Sequence, residues 1–170
     1  DYKHSFYKPN TFRSNNYFTR FKTNYLKESI SWHRKETLKI LNNYCSLIKN
    51  EKVSHKRYVS ELKCSKIAIS PFGWGEFSYR DYETFIFGAL LMKPDMSHLV
   101  TWPNLYIKNE TYISYCWNLE NLAEQLEIFS TNDNMRISLA ENGQENFKKY
   151  TVGKGSSEFF CNQFLKMIKI

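Results

Sequence analysis

The chain has 170 residues and a formal net charge of +7, with 42% of its residues hydrophobic and 24% charged. That is about one domain's length of chain, with enough apolar residues for a packed core, which excludes wholesale disorder. No run of about 18 apolar residues occurs, so no membrane-crossing helix is expected. The sequence starts at Asp1 with no signal-peptide apolar stretch behind it, so a piece of a longer protein is expected. Cys45, Cys64, Cys116 and Cys161 are far apart and form no CxxC or Cys/His pairing. This argues against a zinc site and a disulfide framework, and for isolated buried thiols in a reducing compartment such as the cytoplasm. Residues 1–66 carry 15 Lys/Arg and 5 Asp/Glu, whereas residues 67–170 carry 9 and 12. A basic half beside an acidic one suggests a face that meets anions, against the plainer reading of a solvated basic surface.

In chain order, residues 1–30 show no clear period beyond a short strand near Asn16–Phe21. Ser31 is read as the cap of a helix running to about Ile48, with Leu38, Leu41, Cys45 and Ile48 on one stripe. Ser54 caps a short helix through Leu62. Lys66–Ser70 is a β-branched apolar run that reads as a buried strand ending at Pro71. A glycine-punctuated loop follows, then a helix from about Tyr79 with Tyr82, Phe85, Ile86, Ala89 and Leu90 on its buried face. Leu90–Met92 is the next strand, stopped by Lys93-Pro94, and Thr111–Cys116 another. Asn118 is read as capping a helix that contains Leu119, Leu122, Leu126 and Phe129. Thr131 or Asn132 opens a helix to about Tyr150, with Gly143 as its weak point. The last helix carries Phe160, Phe164, Met167 and Ile168 as an apolar stripe. Strands alternating with helices at this spacing indicate one α/β domain over residues 1–170 with a parallel sheet, its first 30 residues poorly defined.

The chemistry concentrates in one segment of fourteen residues, Ser70-Pro-Phe-Gly-Trp-Gly-Glu-Phe-Ser-Tyr-Arg-Asp-Tyr-Glu83. In a parallel α/β sheet, ligands bind outside the carboxyl ends of the strands. Gly73 and Gly75 let the backbone approach a ligand closely. The helix start near Tyr79–Arg80 offers free N–H groups and a positive dipole end to a diphosphate, and Arg80 adds a bidentate donor. Glu76 and Glu83 can each clasp vicinal hydroxyls. Against this stand plain readings: a Gly-x-Gly turn, a solvated Arg80 ion pair with Asp81 or Glu83, and Trp74 in the core. His98 is placed near the cleft, with loop packing the plainer reading.

This segment, followed by Phe87-Gly-Ala-Leu-Leu-Met-Lys-Pro94, resembles the donor-binding half of glycosyltransferases with two Rossmann domains, the GT-B fold. The resemblance implies a Rossmann-like three-layer α/β domain that binds a nucleotide diphosphate sugar, with no metal and no other cofactor. It implies that Glu83 bonds the ribose, and that Glu76 with Phe72, Gly73, Trp74 and Gly75 faces the donor sugar and diphosphate. Glu76 and Arg80 are then the candidate catalytic residues. Six residues separate the glutamates, one fewer than in the retaining enzymes of that fold. Arg20, Lys22, Arg34 and Arg80 are all candidates for the cation on the diphosphate. A missing N-terminal acceptor domain is the implied partner. The absence of Asp-x-Asp argues against a metal-clamped diphosphate, and His4, His33, His55 and His98 lack metal spacing. The rival class is a non-catalytic basic module for nucleic acid or an anionic membrane surface. The aromatic, basic stretch Tyr2–Tyr25 lacks an RNA-binding signature, so nucleic acid is not expected, and a peripheral membrane contact stays open.

Overall fold

The computed structural model describes residues 6–44, 51–153 and 155–168. Their elements run β1 (Asn15–Phe18), α1 (Glu28–Tyr44), α2 (His55–Lys63), β2 (Ser65–Ile69), α3 (Tyr79–Phe87), β3 (Leu90–Pro94), β4 (Ile113–Tyr115), α4 (Leu122–Thr131), α5 (Asp133–Thr151) and α6 (Ser156–Ile168). The four strands form one parallel sheet in the order β1-β2-β3-β4. Ile67 pairs with Leu90 and Ile69 with Met92, and Met92 pairs in turn with Ile113.

Alternation along the strands sorts the core into two layers. Ile67, Ile69, Leu90, Met92, Ile113 and Tyr115 pack on one face against Leu41 of α1 and Leu122, Leu126 and Phe129 of α4. Ala68 meets Leu62 of α2 and Phe87 of α3, while Leu91 meets Phe85 of α3 and Phe147 of α5 on the opposite face. The result is the three-layer, Rossmann-like α/β arrangement that the sequence predicts, with β3 and β4 buried throughout, β2 buried except at Lys66, and the edge strand β1 buried only at Phe18.

Several boundaries follow local chemistry. Ser54 caps α2 by accepting from the Arg57 N–H, as read from the sequence, and Asn132, one of the two residues read as opening α5, caps it by accepting from the Met135 N–H. Helix α1 begins three residues before Ser31. The Ser31 hydroxyl does not cap it; it bonds both the N–H and the carbonyl of Tyr25, pinning the preceding loop to the helix. Cys45 and Ile48, read as part of the α1 stripe, lie outside the described residues. Helix α4 starts after Asn121, not Asn118. Leu119 takes a left-handed conformation (φ 67°), which breaks the backbone between the two positions, and Asn121 Oδ1 accepts from the Cys116 N–H. Helix α3 ends at Phe87, so Ala89 and Leu90 are buried beyond it. Gly88 holds φ 65°, and a Cβ there would collide with the Tyr7 carbonyl oxygen, so both conformation and space call for glycine. Strand β3 runs on through Lys93 and Pro94. By that point the neighbouring β2 has ended at Ile69, so the N–H that proline lacks has no ladder partner to lose on that side.

One expectation about burial is corrected, and one plain alternative falls away. Cys64 and Cys116 are half-buried and Cys161 is exposed, so none of the three described thiols is a core group. Trp74 is 66% exposed and lies outside the core. Helix α6 is amphipathic as read, yet it has no buried residue; its apolar stripe faces outward beyond the contacts of Phe159 and Phe160 with Trp102. Among the described residues, no helix is long and apolar enough to cross a membrane.

Candidate functional site

The carboxyl edge of the sheet is built from the 70–78 loop after β2, the 19–25 segment after β1, and the start of α1. Ser78 caps α3, its hydroxyl accepting from the Arg80 N–H at 3.2 Å. Within the loop the Gly73 N–H donates to the Gly75 carbonyl at 3.1 Å, closing a tight turn. A Cβ on Gly73 would press on the Arg34 guanidinium at 3.1 Å, whereas one on Gly75 would meet only open space. Gly73 therefore serves the protein's own packing, and Gly75 leaves room outside it.

Arg34 organises this edge from α1. Its Nε donates to the Phe72 carbonyl at 2.6 Å and Nη2 to that of Pro71 at 3.1 Å. Its Nη1 donates to the Lys22 carbonyl and the Tyr25 hydroxyl. Burial lowers its pKa to about 10, so it stays charged at neutral pH. With its donors engaged by the protein, Arg34 is a structural clamp between the two loops. The chain closes the loop from beneath with Lys93, which donates to the Glu76 carbonyl at 2.7 Å and to Asp81.

Two clefts flank Arg34. The first, of about 430 Å³, is lined by Tyr25, Arg34, Gly73, Trp74, Gly75, Phe77, Ser78, Tyr79 and Tyr82. The second, of about 330 Å³, is lined by Arg20, Phe21, Lys22, Glu51, Lys52, Val53 and Tyr58. The structure thus gathers Gly73, Trp74 and Gly75 on the first cleft, while Arg80 and Glu83 line neither and touch the second only through its wall residues Arg20 and Tyr58. Glu83 accepts from the Tyr58 hydroxyl at 2.8 Å. Burial raises the pKa of that hydroxyl, and the positive charge of Arg80 opposes the rise. Arg80 Nη2 donates to the Arg20 carbonyl at 2.6 Å, but its Nε and Nη1 are enclosed without a hydrogen-bond partner. Phe72 lies half-buried behind the loop, its ring 5.6 Å from that of Trp117 and 6.2 Å from that of exposed His98. Glu76 lines neither cleft; its backbone is fixed and its side chain is half-exposed.

Of the four cations offered for a diphosphate, Arg20 is bound to Glu61 at 2.7 Å and to the Glu51 carbonyl, and the Arg20 contact holds the pKa of Glu61 down. Arg34 is engaged by carbonyls, and exposed Lys22 lies over the Tyr25 ring. Arg80 alone of these guanidiniums is left with two unpartnered donors. Sequence reasoning missed the fully buried Asp81–Lys93 pair and the hydroxyls of Ser70 and Tyr106 that join it, at 2.5 and 2.9 Å from Asp81. The only sequence signal was a lysine inside an otherwise apolar strand. Among the described residues, no group of three or more His, Cys, Asp or Glu side chains could hold a metal ion.

No family model and no curated protein matches the chain. Among solved structures, it is similar to a 1.35 Å crystal structure of the C-terminal domain of a glycosyl transferase group 1 family protein from Francisella tularensis, with 16% sequence identity and a TM-score of 0.49. The match covers 69% of this chain and 63% of that one.

Proposed function

We propose that the chain is the donor-binding half of a GT-B-type glycosyltransferase, holding a nucleotide diphosphate sugar for transfer to an acceptor on a second domain. The observation that carries this reading is the pair of clefts at the carboxyl edge of the parallel sheet, with Arg80 between the glycine loop and the Arg20–Tyr58 cleft. The resemblance of residues 70–94 supports it independently. In this reading the nucleotide occupies the second cleft, where Glu83 accepts from the ribose hydroxyls in place of Tyr58. The diphosphate completes the unfilled donor set of Arg80, reached once the 20–22 wall of the cleft shifts. The sugar lies toward Trp74, Gly75 and Glu76. Catalysis is then mostly positioning, with the α3 N-terminus and Arg80 stabilising the departing diphosphate.

The test is calorimetric titration of the chain with nucleoside diphosphates and their sugar conjugates. Wild type binds, and Glu83→Gln weakens the nucleoside diphosphate about ten- to a hundredfold, because a hydrogen bond to a charged group contributes roughly 1.5–3 kcal/mol. The glutamine keeps an acceptor for Tyr58, so the fold survives. Glu76→Gln weakens the sugar conjugate more than the free nucleotide. Unchanged affinity in a folded Glu83→Gln protein reduces Glu83 to a partner of Tyr58, and absence of binding by wild type refutes the reading.

A further inference from the structure

The glycine loop rests on charges sealed inside the protein. Asp81 in the first turn of α3 and Lys93 on β3 form an ion pair at 2.5 Å, with both side chains fully buried. A buried pair is a poor device for stability, since well-packed apolar residues of similar volume often serve as well or better. Its geometry points to a different use. One Asp81 carboxylate takes the hydroxyl of Ser70, where β2 ends, the hydroxyl of Tyr106 and the ammonium of Lys93. The same ammonium donates to the Glu76 carbonyl in the middle of the loop. Both ends of the 70–81 segment and its centre therefore converge on one pair. From the opposite side, Arg34 holds the Pro71 and Phe72 carbonyls. The part between these anchors is Gly73–Gly75, and it lines the larger cleft with Trp74. Burial lowers the pKa of Lys93, and the charge of Asp81 opposes that. The ammonium also lies 4.5 Å from the Tyr106 ring centre and 5.5 Å from that of Phe72, which closes its surroundings to water.

We infer that Asp81 and Lys93 are positioning residues whose buried pair sets the shape of the glycine loop for the sugar end of its ligand. Lys93 holds the main chain at Glu76, and Asp81 holds the strand end and the helix start that bound the loop. The ligand half of this inference rests on the donor-binding reading; the loop half stands without it.

The test is a double variant, Lys93→Met with Asp81→Asn, which removes both charges together and leaves an amide oxygen able to accept from Ser70 and Tyr106. Two quantities are measured: hydrogen exchange of peptides covering 71–78, and affinity for a nucleoside diphosphate and its sugar conjugate. The expected result is exchange at least about tenfold faster in the loop with β2, β3 and α5 unchanged. Affinity for the sugar conjugate falls by about tenfold or more, the order of one hydrogen bond from a charged donor, while the free nucleotide loses less. Unchanged loop exchange in a folded double variant overturns the inference, and so does faster exchange with sugar-conjugate affinity intact. If wild type binds no sugar nucleotide yet the loop loosens in the variant, the donor reading fails and the positioning role of the pair survives. Should the double variant not fold, Ser70→Ala withdraws one donor from Asp81 without stranding a charge; exchange in 71–78 then rises about threefold, and no rise overturns the inference.

Discussion

His33 sits on α1 with 1% of its surface exposed, its ring stacked 4.0 Å from that of Trp117 and 6.3 Å from that of Tyr115. Burial lowers its pKa from 6.5 to about 4, and the positive charge of Arg34 adds to the effect. In the folded protein it is therefore neutral at pH 5, whereas in the unfolded chain it is largely protonated. The unfolded state binds the extra proton between pH 6.5 and 4, so stability falls as pH drops through that window. From about pH 7 to about 4.5 the expected loss from this one residue is roughly 2–3 kcal/mol. Urea denaturation of wild type and His33→Phe at both pH values checks it: the variant should lack this part of the acid destabilisation, and parallel losses in the two proteins would rule it out. Other buried polar groups act through the backbone. Arg13 donates to the carbonyls of Lys63, Ser65, Phe87 and Gly88, tying together the end of α2, the start of β2 and the end of α3. As with Arg34, its charge serves the interior, which the composition alone counted as surface.

Helix α5 shows where pattern and packing part company. Gly143 reads from sequence as a weak point, since glycine in a helix interior costs about 1 kcal/mol relative to alanine. In the structure a Cβ at that position would lie 2.5 Å from the Thr111 carbonyl oxygen and 2.9 Å from Phe85 Cε1. The glycine lets α5 approach α3 and the chain leading into β4, and Gln144 beside it reaches the carbonyls of Tyr7 and Phe85. Gly143→Ala should therefore destabilise by about 1–3 kcal/mol despite its better helix propensity; a stabilised variant in urea denaturation would show that the contact relaxes freely. The elements that could be read in the sequence are those with local causes. The apolar runs at 65–69 and 90–92 and the caps at Ser54 and Asn132 act within a few residues of themselves. What could not be read depends on distant partners. Ser31 looks like a cap until Tyr25 takes its hydroxyl, Asn118 looks like a cap until Leu119 turns left-handed, and Asp81 looks like an ordinary first-turn acid. Its partners Lys93 and Tyr106 lie 12 and 25 residues away. The glycine loop stood out by its residue types, but its separation from Arg80 and Glu83 did not, because that depends on how α1 and α2 straddle the sheet.

For the whole molecule, the basic excess of residues 1–66 is less of a surface feature than the sequence suggests. Arg13, Arg20 and Arg34 are buried and bound to carbonyls or to Glu61. That weakens the reading of this half as a broad anion-binding face, and Lys39, Arg57 and Lys66 are in addition paired with Glu36, Glu61 and Asp133. The outward apolar surface lies instead on α6, where Phe160, Phe164, Leu165, Met167 and Ile168 are each about half exposed. The sheet and its two helical layers close their cores without this helix: among the described residues, none of the core clusters includes one beyond Tyr150. Its inward contacts are aromatic, with Phe159 5.8 Å from Trp102 and 5.7 Å from Tyr150, and Phe160 5.2 Å from Trp102. Aromatic pairs of this kind contribute about 0.5–1.5 kcal/mol beyond area burial, and the rings stay partly wet. Three such pairs bound the loss at roughly 4 kcal/mol, so a chain ending at Val152 should lose less than that in urea denaturation and keep the protection of β2 and β3 in hydrogen exchange. In the full chain, α6 amides should exchange far faster than those of the sheet. A loss above about 5 kcal/mol on truncation would mean that α6 is bound into the cooperative core, contrary to the exposure of its apolar face.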